Sequence, residues 1–350
     1  MTTGNAMPMS ASESHGVVIG LHAAIVAVID FQPHVLVVRR AYAPLESGAA
    51  AAHHFESAGG TEFGLPFGPF DPSLHRTLEI GLRSWVEDQT SLRLGYAEQL
   101  YTFGDRDRYV GAPGESARVV SVGYLALTRA EANPPSTDSL WHDWYRHFPW
   151  EDWRGGQPRV IDDAIGPKLD TWAKKGGSPG QIARRRDRIS LCFGGDGIPW
   201  DEEKVLDRYE LLYEAGLVAE AERDRRLQQG KAPGKLPTSS TMGAPMQFDH
   251  RRILATAMGR LRGKLKYRPV VFELMPESFT LLELQRTVEA ITGVELHKQN
   301  FRRLVEREGL VEPTGEQSSR AGGRPAALFH FRREVWKERP APGVRVRGRG

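Results

Sequence analysis

A run of side chains near the C-terminus, Lys298, Gln299, Asn300, Arg302 and Arg303, has the chemistry to read a nucleic-acid groove. Arg and Lys donate to guanine edges, and Asn and Gln match the paired donor and acceptor of adenine. Two more cations, Arg320 and Arg324, follow among Gly315, Gly322 and Gly323. From a loop tip they can reach phosphates or a narrow minor groove. Asn300 has a second possible use as an internal structural residue, because it precedes the apolar Phe301.

These side chains need a rigid carrier. The spacing predicts a helix over about 297–308, with Leu296, Phe301, Leu304 and Val305 facing inward and the polar residues facing out. Gly309 ends it. A preceding helix opens at Thr280 with Glu283 three residues on, a capping box, and Phe279 with Leu284 forms its hydrophobic staple. Gly293 is its stop. A third helix is expected over 249–265, with Asp249 as N-cap and Ile253, Leu254, Ala257, Met258, Leu261 and Leu265 on one stripe. Arg251, Arg252, Arg260 and Lys264 are placed on its opposite side. Short strands at 310–312 and 327–331 bracket the glycine-containing tip. Helix, helix, basic helix and hairpin is the layout of a winged helix-turn-helix.

Charge distribution agrees. Residues 250–350 hold 21 Lys and Arg against 11 Asp and Glu, a surplus of ten. The whole chain carries only +3, so the first 249 residues carry −7. A basic third on an acidic body suits a polyanion partner. At 40% hydrophobic and 26% charged, the 350 residues fit a globular protein with more than one core. The apolar run at 17–29 is interrupted by Gly20 and His22 and reads as a buried strand, so no membrane is expected. Residues 1–14 are small and polar, read as a disordered start without a signal peptide, and imply a cytoplasmic protein. The single cysteine, Cys192, excludes an internal disulfide and a cysteine-rich zinc site, and reads as a small buried side chain.

Ahead of the basic third, strands are expected at 17–29 and 35–40, joined around 30–34 as a hairpin, then a loop at 48–60 and a helix from 71 to about 89 carrying Leu74, Leu78, Leu82 and Trp85. Strands at 98–103 and 119–128 flank a polar loop at 104–116. Residues from about 129 to 230 read as an insertion. It opens on an aromatic segment (Trp141, Trp144, Tyr145, Trp150 and Trp153), expected to pack and not to stack on a ligand. Helical patterns at 161–174 and 202–228 follow, then a Gly/Pro/Ser/Thr-rich linker at 230–245.

The ordered set Asp249-His250, Arg260-Leu261-Arg262-Gly263-Lys264, Phe272-Glu273-Leu274, Phe279-Thr280-Leu281, Asn300-Phe301-Arg302 and Gly323-Arg324-Pro325 resembles the NrtR family, the Nudix-related transcriptional regulators. The segment from Glu98 to Asp105 resembles the same family's Nudix-like domain. The resemblance covers roughly 15–128 and 249–333. It implies an α+β chain: a Nudix-like α/β/α sandwich with a helical insertion, followed by a winged helix-turn-helix. The implied divisions are a disordered start at 1–14, an effector-sensing domain at 15–128, insertion and linker at 129–248, a DNA-binding domain at 249–335 and a basic tail at 336–350. It further implies a homodimeric repressor of NAD-metabolism or related sugar genes, bound to a double-stranded operator and responsive to ADP-ribose or a similar nucleotide. One departure is His297, where the family often has a capping Asp.

Active Nudix hydrolases carry a loop–helix box whose late glutamates hold divalent cations. The box falls on 66–92. With Arg83 as the box arginine, the three core acid positions are Ser84, Glu87 and Asp88, the box glycine is Pro69 and its early glutamate is His75. With Thr90-Ser91-Leu92 aligned to the box's usual ending, they are Trp85, Asp88 and Gln89, and the arginine position is Ser84. Both registers lose the first metal-binding glutamate, so neither a catalytic set nor a resident metal or required cofactor is expected. Arg39 and Arg40 are candidates for effector phosphates, and Tyr101 or Phe103 for adenine stacking. The rival reading is an active hydrolase of a nucleoside diphosphate derivative such as ADP-ribose. A third is a protein-interaction scaffold using the aromatic segment.

Overall fold

The computed structural model describes residues 17–39, 63–105, 118–129, 136, 138–231, 241–318 and 325–335. Strand β1 (Val17–Ile29) turns at Asp30 and Phe31, both at positive φ (48° and 60°), into β2 (Gln32–Val38). Ile29 pairs with Gln32, so the connection is two residues, shorter than the expected 30–34. Paired positive φ values match the right-handed strand twist, which a longer arc does not need. Strands β4 (Tyr96–Phe103) and β5 (Arg118–Leu127) complete the sheet on one side. The order is β4–β5–β1–β2–β6, with the short β3 (Phe67–Pro69) also paired to β1. Among the described residues only the β1–β5 pairing is parallel.

Strand β6 (Ser139–Asp143) corrects the sequence reading. It lies inside the stretch taken as a helical insertion, yet it pairs antiparallel with β2 from Val38↔Ser139 to His34↔Asp143. A division at 128 therefore cuts through the sheet. Five residues with Trp and His gave no visible strand alternation, and pairing with β2 decided the matter.

Alternation along β1 gives the sheet two apolar faces. Leu21, Ala23 and Ile25 face helix α1 (Leu78–Thr90) through Leu82 and Val86. Ala24 and Val26 face the helices of the second half. All seven are fully buried, and each large aliphatic among them contributes about 1.5–3 kcal/mol. Helix α1 starts at Leu78, capped by Thr77, and not at 71. The Asp71 carboxylate instead takes the Ser73 N–H (2.8 Å) and hydroxyl (2.6 Å), a local turn that competes with helix. Leu74, expected on the helix stripe, is exposed there.

The second half is helical: α2 (Gly166–Lys174), α3 (Pro179–Phe193), α4 (Val205–Glu214), α5 (Ala219–Gln228), α6 (His250–Leu265), α7 (Leu281–Thr292) and α8 (Lys298–Arg307), then the hairpin of β7 (Val311–Ser318) and β8 (Ala326–Phe331). The helix expected over 202–228 is two, divided at Gly216 (φ 72°). Helix α3 shows no clear apolar stripe in its arginine-rich sequence, and its signals there are the start signals, Ser178 as N-cap and Pro179 at N1. The aromatic segment packs as expected: Trp144, Phe148 and Trp150 are fully buried. Cys192 is buried too. One continuous core runs from Ala24 through α4 and α6 to Phe301 and Val335, so α6 joins the sheet to the C-terminal helices. Among the described residues no helix is long and apolar enough to cross a membrane.

Candidate nucleic-acid interface

Helix α7 begins as its sequence dictates. Thr280 Oγ1 accepts from the Glu283 N–H (3.2 Å), and the Glu283 carboxylate accepts from the Thr280 N–H (2.8 Å). Phe279 and Leu284, the staple pair, are both buried. Gly293 closes the helix in the left-handed region at φ 74°. The turn to α8 is tied by residues the sequence reading missed. Glu289 accepts from Gln285 (2.9 Å) and from the Leu296 N–H (2.9 Å), and Gln285 also donates to the Leu296 carbonyl (3.0 Å). The i,i+4 spacing of Gln285 and Glu289 was the available signal.

Helix α8 sorts its side chains as expected. Phe301 and Val305 are buried, while Lys298, Gln299, Asn300, Arg302 and Arg303 are exposed. Asn300 is not internal: its Oδ1 accepts from Arg303 (2.9 Å) on the surface and orients that guanidinium. His297 makes no side-chain cap, in keeping with its departure from the family pattern. The hairpin is anchored by paired backbone bonds between Phe279 and Phe329 (2.9 and 2.8 Å) and by Phe331 stacked on Phe272 at 4.2 Å. Its first strand reaches Ser318, well past the expected 312, and a bulge near Gly315 (φ 83°) accommodates Pro313. Arg320 and Arg324 lie outside the described residues, as does the tail at 336–350.

The bases of α6 are a correction. Their spacing puts them on an outer side; the fold turns most of them inward onto acids. Arg251, fully buried, donates to Glu220 (3.2 Å). Arg252 meets Asp105 (2.5 Å), Glu210 (2.6 Å) and Asp249 (3.2 Å). Lys264 pairs with Glu98, and Arg260, the most exposed, lies 3.7 Å from the same carboxylate. Arg262 is fully buried against Glu151 (2.6 Å), which also holds Arg208 in a two-pronged pair (2.6 and 2.9 Å). Burial alone pushes the Glu151 carboxyl up; Arg208 and Arg262 outweigh it and hold the group below the usual carboxylate range.

That cluster grips α7. Tyr145 Oη donates to the Ala290 carbonyl (2.8 Å), Arg262 Nε to Ile291 (3.0 Å) and the Trp153 N–H to Gly293 (2.7 Å). Helix-end carbonyls need such donors, and all three come from outside the helix–turn–helix. The tip of the β1–β2 hairpin reaches α7 as well. The Arg286 guanidinium sits 5.1 Å from the Phe31 ring centroid, and Arg154 donates to the Phe31 carbonyl (3.1 Å). A buried histidine pair ties the sheet to the start of α6. The Leu65 N–H donates to His250 Nδ1 (2.9 Å), so the His250 proton sits on Nε2, facing His22 Nδ1 at 3.0 Å. Burial lowers both pKa values, that of His22 to about 3.

The expected box residues lie on or beside α1. Trp85 Nε1 donates to the Pro69 carbonyl (2.9 Å), and its ring fills the space a Cβ on Gly68 would take. Gln89 accepts from the Phe67 N–H (3.2 Å) and donates to its carbonyl (2.6 Å). The face of α1 turned to β3 thus carries Trp85 and Gln89, two of the three acid positions in the second register. Ser84, Glu87 and Asp88 are exposed; Glu87 pairs with Arg93 (2.8 Å). Arg83 pairs with Glu79 and donates to the carbonyls of Leu94 and Gly95. Among the described residues no cluster of three His, Cys, Asp or Glu could hold a metal.

Of the candidate effector residues, Arg39 is exposed at the end of β2, 5.9 Å from the Phe63 ring centroid. Tyr101 is exposed on β4, with β5 and β1 between its strand and β2, about 14 Å at ordinary strand spacing. Phe103 is buried beneath the Arg252 guanidinium at 4.8 Å, which occupies the ring face that adenine would need. Arg40 lies outside the described residues.

Comparison with known proteins accords with this geometry. Residues 271–331 match the NrtR DNA-binding winged helix domain. The chain is 45% identical over 86 residues to the ADPR responsive transcriptional repressor of Acinetobacter baylyi. That match spans 25% of this chain and 34% of the repressor, about a third of the relative's length. The fold is similar to that of Shewanella oneidensis NrtR crystallised with a 27mer DNA, at TM-score 0.51 and 20% identity, over 91% of this chain and 95% of that one. The C-terminal unit is thus similar to the NrtR winged helix domain, and the chain as a whole shares the fold of Shewanella oneidensis NrtR.

Proposed function

We propose that this chain is a DNA-binding repressor whose Nudix-like domain senses ADP-ribose without consuming it. The observation that carries the reading is α8: five polar or cationic side chains exposed on a helix whose apolar side is locked into the core. Lys298, Gln299, Arg302 and Arg303 would grip or read a duplex, with Arg320 and Arg324 of the wing on the backbone. The relative's name, a repressor responsive to ADPR, supports the effector and the sign of regulation. Loss of turnover is supported by Trp85 and Gln89 on the face of α1 where an active box needs carboxylates. Genes of NAD or related nucleotide-sugar metabolism are the proposed targets. The cytoplasm, where such operators lie, is the proposed compartment.

As a homodimer the protein would present two recognition helices to half-sites one helical turn, or a multiple, apart. Effector on the sheet would act through the Phe31 tip and the α7 clamp, changing the spacing of the two helices. A differential affinity of about 1–3 kcal/mol is ordinary for such coupling. The test is an anisotropy titration on the promoter ahead of its own operon, with and without ADP-ribose. The expected result is DNA release as ADP-ribose is added, with no AMP formed in the presence of Mg²⁺ or Mn²⁺. Unchanged affinity sinks the effector. AMP release faster than about 0.1 s⁻¹, near the low end for enzymes, restores the hydrolase reading.

A further inference from the structure

We propose that α2 and α3 form a second polyanion-binding surface, which contacts phosphates of duplex DNA flanking the segment held by α8; this rests on the DNA-binding reading above. Residues 166–193 carry seven Lys and Arg against two Asp, a local surplus of five on a body whose first 249 residues are net negative. On α6, by contrast, the cations meet carboxylates. Here Lys168, Lys175 and Arg184 are exposed and, among the described residues, have no acidic partner. Arg186 reaches Asp170 only at 3.9 Å, and that carboxylate already holds Lys174. Arg185 is prearranged: its guanidinium lies 4.3 Å from the Trp172 ring centroid and donates to the Trp172 carbonyl (2.7 Å). A cation oriented in this way loses little side-chain freedom on meeting a phosphate.

The position suits DNA. Phe193, at the end of α3, packs on Trp200 (6.4 Å), and Trp200 packs on Trp153 (4.4 Å). The Trp153 N–H bonds the Gly293 carbonyl in the turn that leads to α8. Arg185 is eight residues up α3 from Phe193, about 12 Å of helix. Helix α3 is thereby joined through packed rings to the turn that carries the recognition helix. Cations there would add salt-sensitive affinity without base reading.

The test compares two labelled duplexes from the promoter ahead of its own operon, one of about 20 and one of about 40 base pairs, so that only the longer has flanks of about one turn. The full chain, the K168A/K175A/R184A variant and R302A are titrated from low to moderate salt, with melting curves to verify folding. The expected result is a logarithmic salt slope shallower by about 2–3 for the triple variant on the long duplex only, near 0.9 per phosphate lost. A slope equal to that of the unmodified chain on the long duplex overturns the proposal. So does polyglutamate competing as well as DNA for the same three residues, which would assign the face to acidic proteins. R302A serves as the separate control on the underlying reading. If R302A binds both duplexes normally, the α8 reading fails whatever the triple variant does.

Discussion

Two basic helices, α6 and α8, use the same residue types in opposite ways. On α6, Arg251 and Arg262 have no exposed surface and lie against Glu220 and Glu151. On α8, Arg302 and Arg303 face solvent, and the nearest partner of Arg303 is Asn300 on its own helix. What separates them is the long-range supply of carboxylates. Glu151 and Glu98 lie more than 100 residues from Arg262 and Lys264 in sequence, and tertiary packing brings them to α6. Basic side chains with such partners hold the sheet and α7 together; those without them remain available to a polyanion. Charge counted along a sequence conflates the two uses.

The contrast can be broken first at Glu151. Glu151→Ala leaves Arg208 and Arg262 buried without their shared carboxylate, and removing one partner of a buried pair costs about 3–5 kcal/mol. Urea unfolding should show the loss, and DNA affinity should fall with it because the α7 clamp includes Arg262. A change below about 1 kcal/mol, within the usual range for exposed pairs, would place the cluster among surface contacts.

Acidification tests the same region through His22 and His250. Both imidazoles titrate lower in the fold than in the open chain, so below pH ~6.5 the unfolded state binds more protons. Their contribution is present above that pH and is lost as pH falls toward the folded value, about 3 for His22. The expected loss between pH 7 and 5 is up to about 2 kcal/mol per ring. Thermal melts of the unmodified chain and H22Q/H250Q should converge as pH drops. Parallel pH curves would mean that neither ring titrates differently in the folded state.

The smallest expected energy belongs to α8. Arg302→Ala should weaken operator binding by about 1–3 kcal/mol, roughly 5- to 150-fold, and leave the melting temperature unchanged. Full affinity in a folded variant would remove α8 from the interface. A lowered melting temperature would mean that α8 resembles α6 after all.

Much of the C-terminal unit was legible in the sequence because its signals are local. Thr280 and Glu283 cap within one turn, Gly293 supplies its own left-handed φ, and the Phe301 and Val305 spacing orients α8 without reference to anything distant. The Nudix-like sheet was legible where alternation was long, as in β1, and illegible in the five-residue β6. Effector candidates fared unevenly for a related reason. A strand pattern names both Tyr101 and Phe103 but does not tell which ring another element will cover, and Arg252 covers Phe103.

The amino-acid sequence alone determined the helix boundaries at α7 and α8, the two-faced β1 and the scarcity of metal-binding carboxylates in the box, since each depends on residues within a few positions of one another. Tertiary structure alone decided which arginines are internal, that β6 belongs to the sheet, and that donors from Tyr145, Trp153 and Arg262 close the end of α7. The physical reason is that the net contribution of a charge or a hydrogen bond depends on its partner and its exposure to water, and for these groups the partners come from distant parts of the chain.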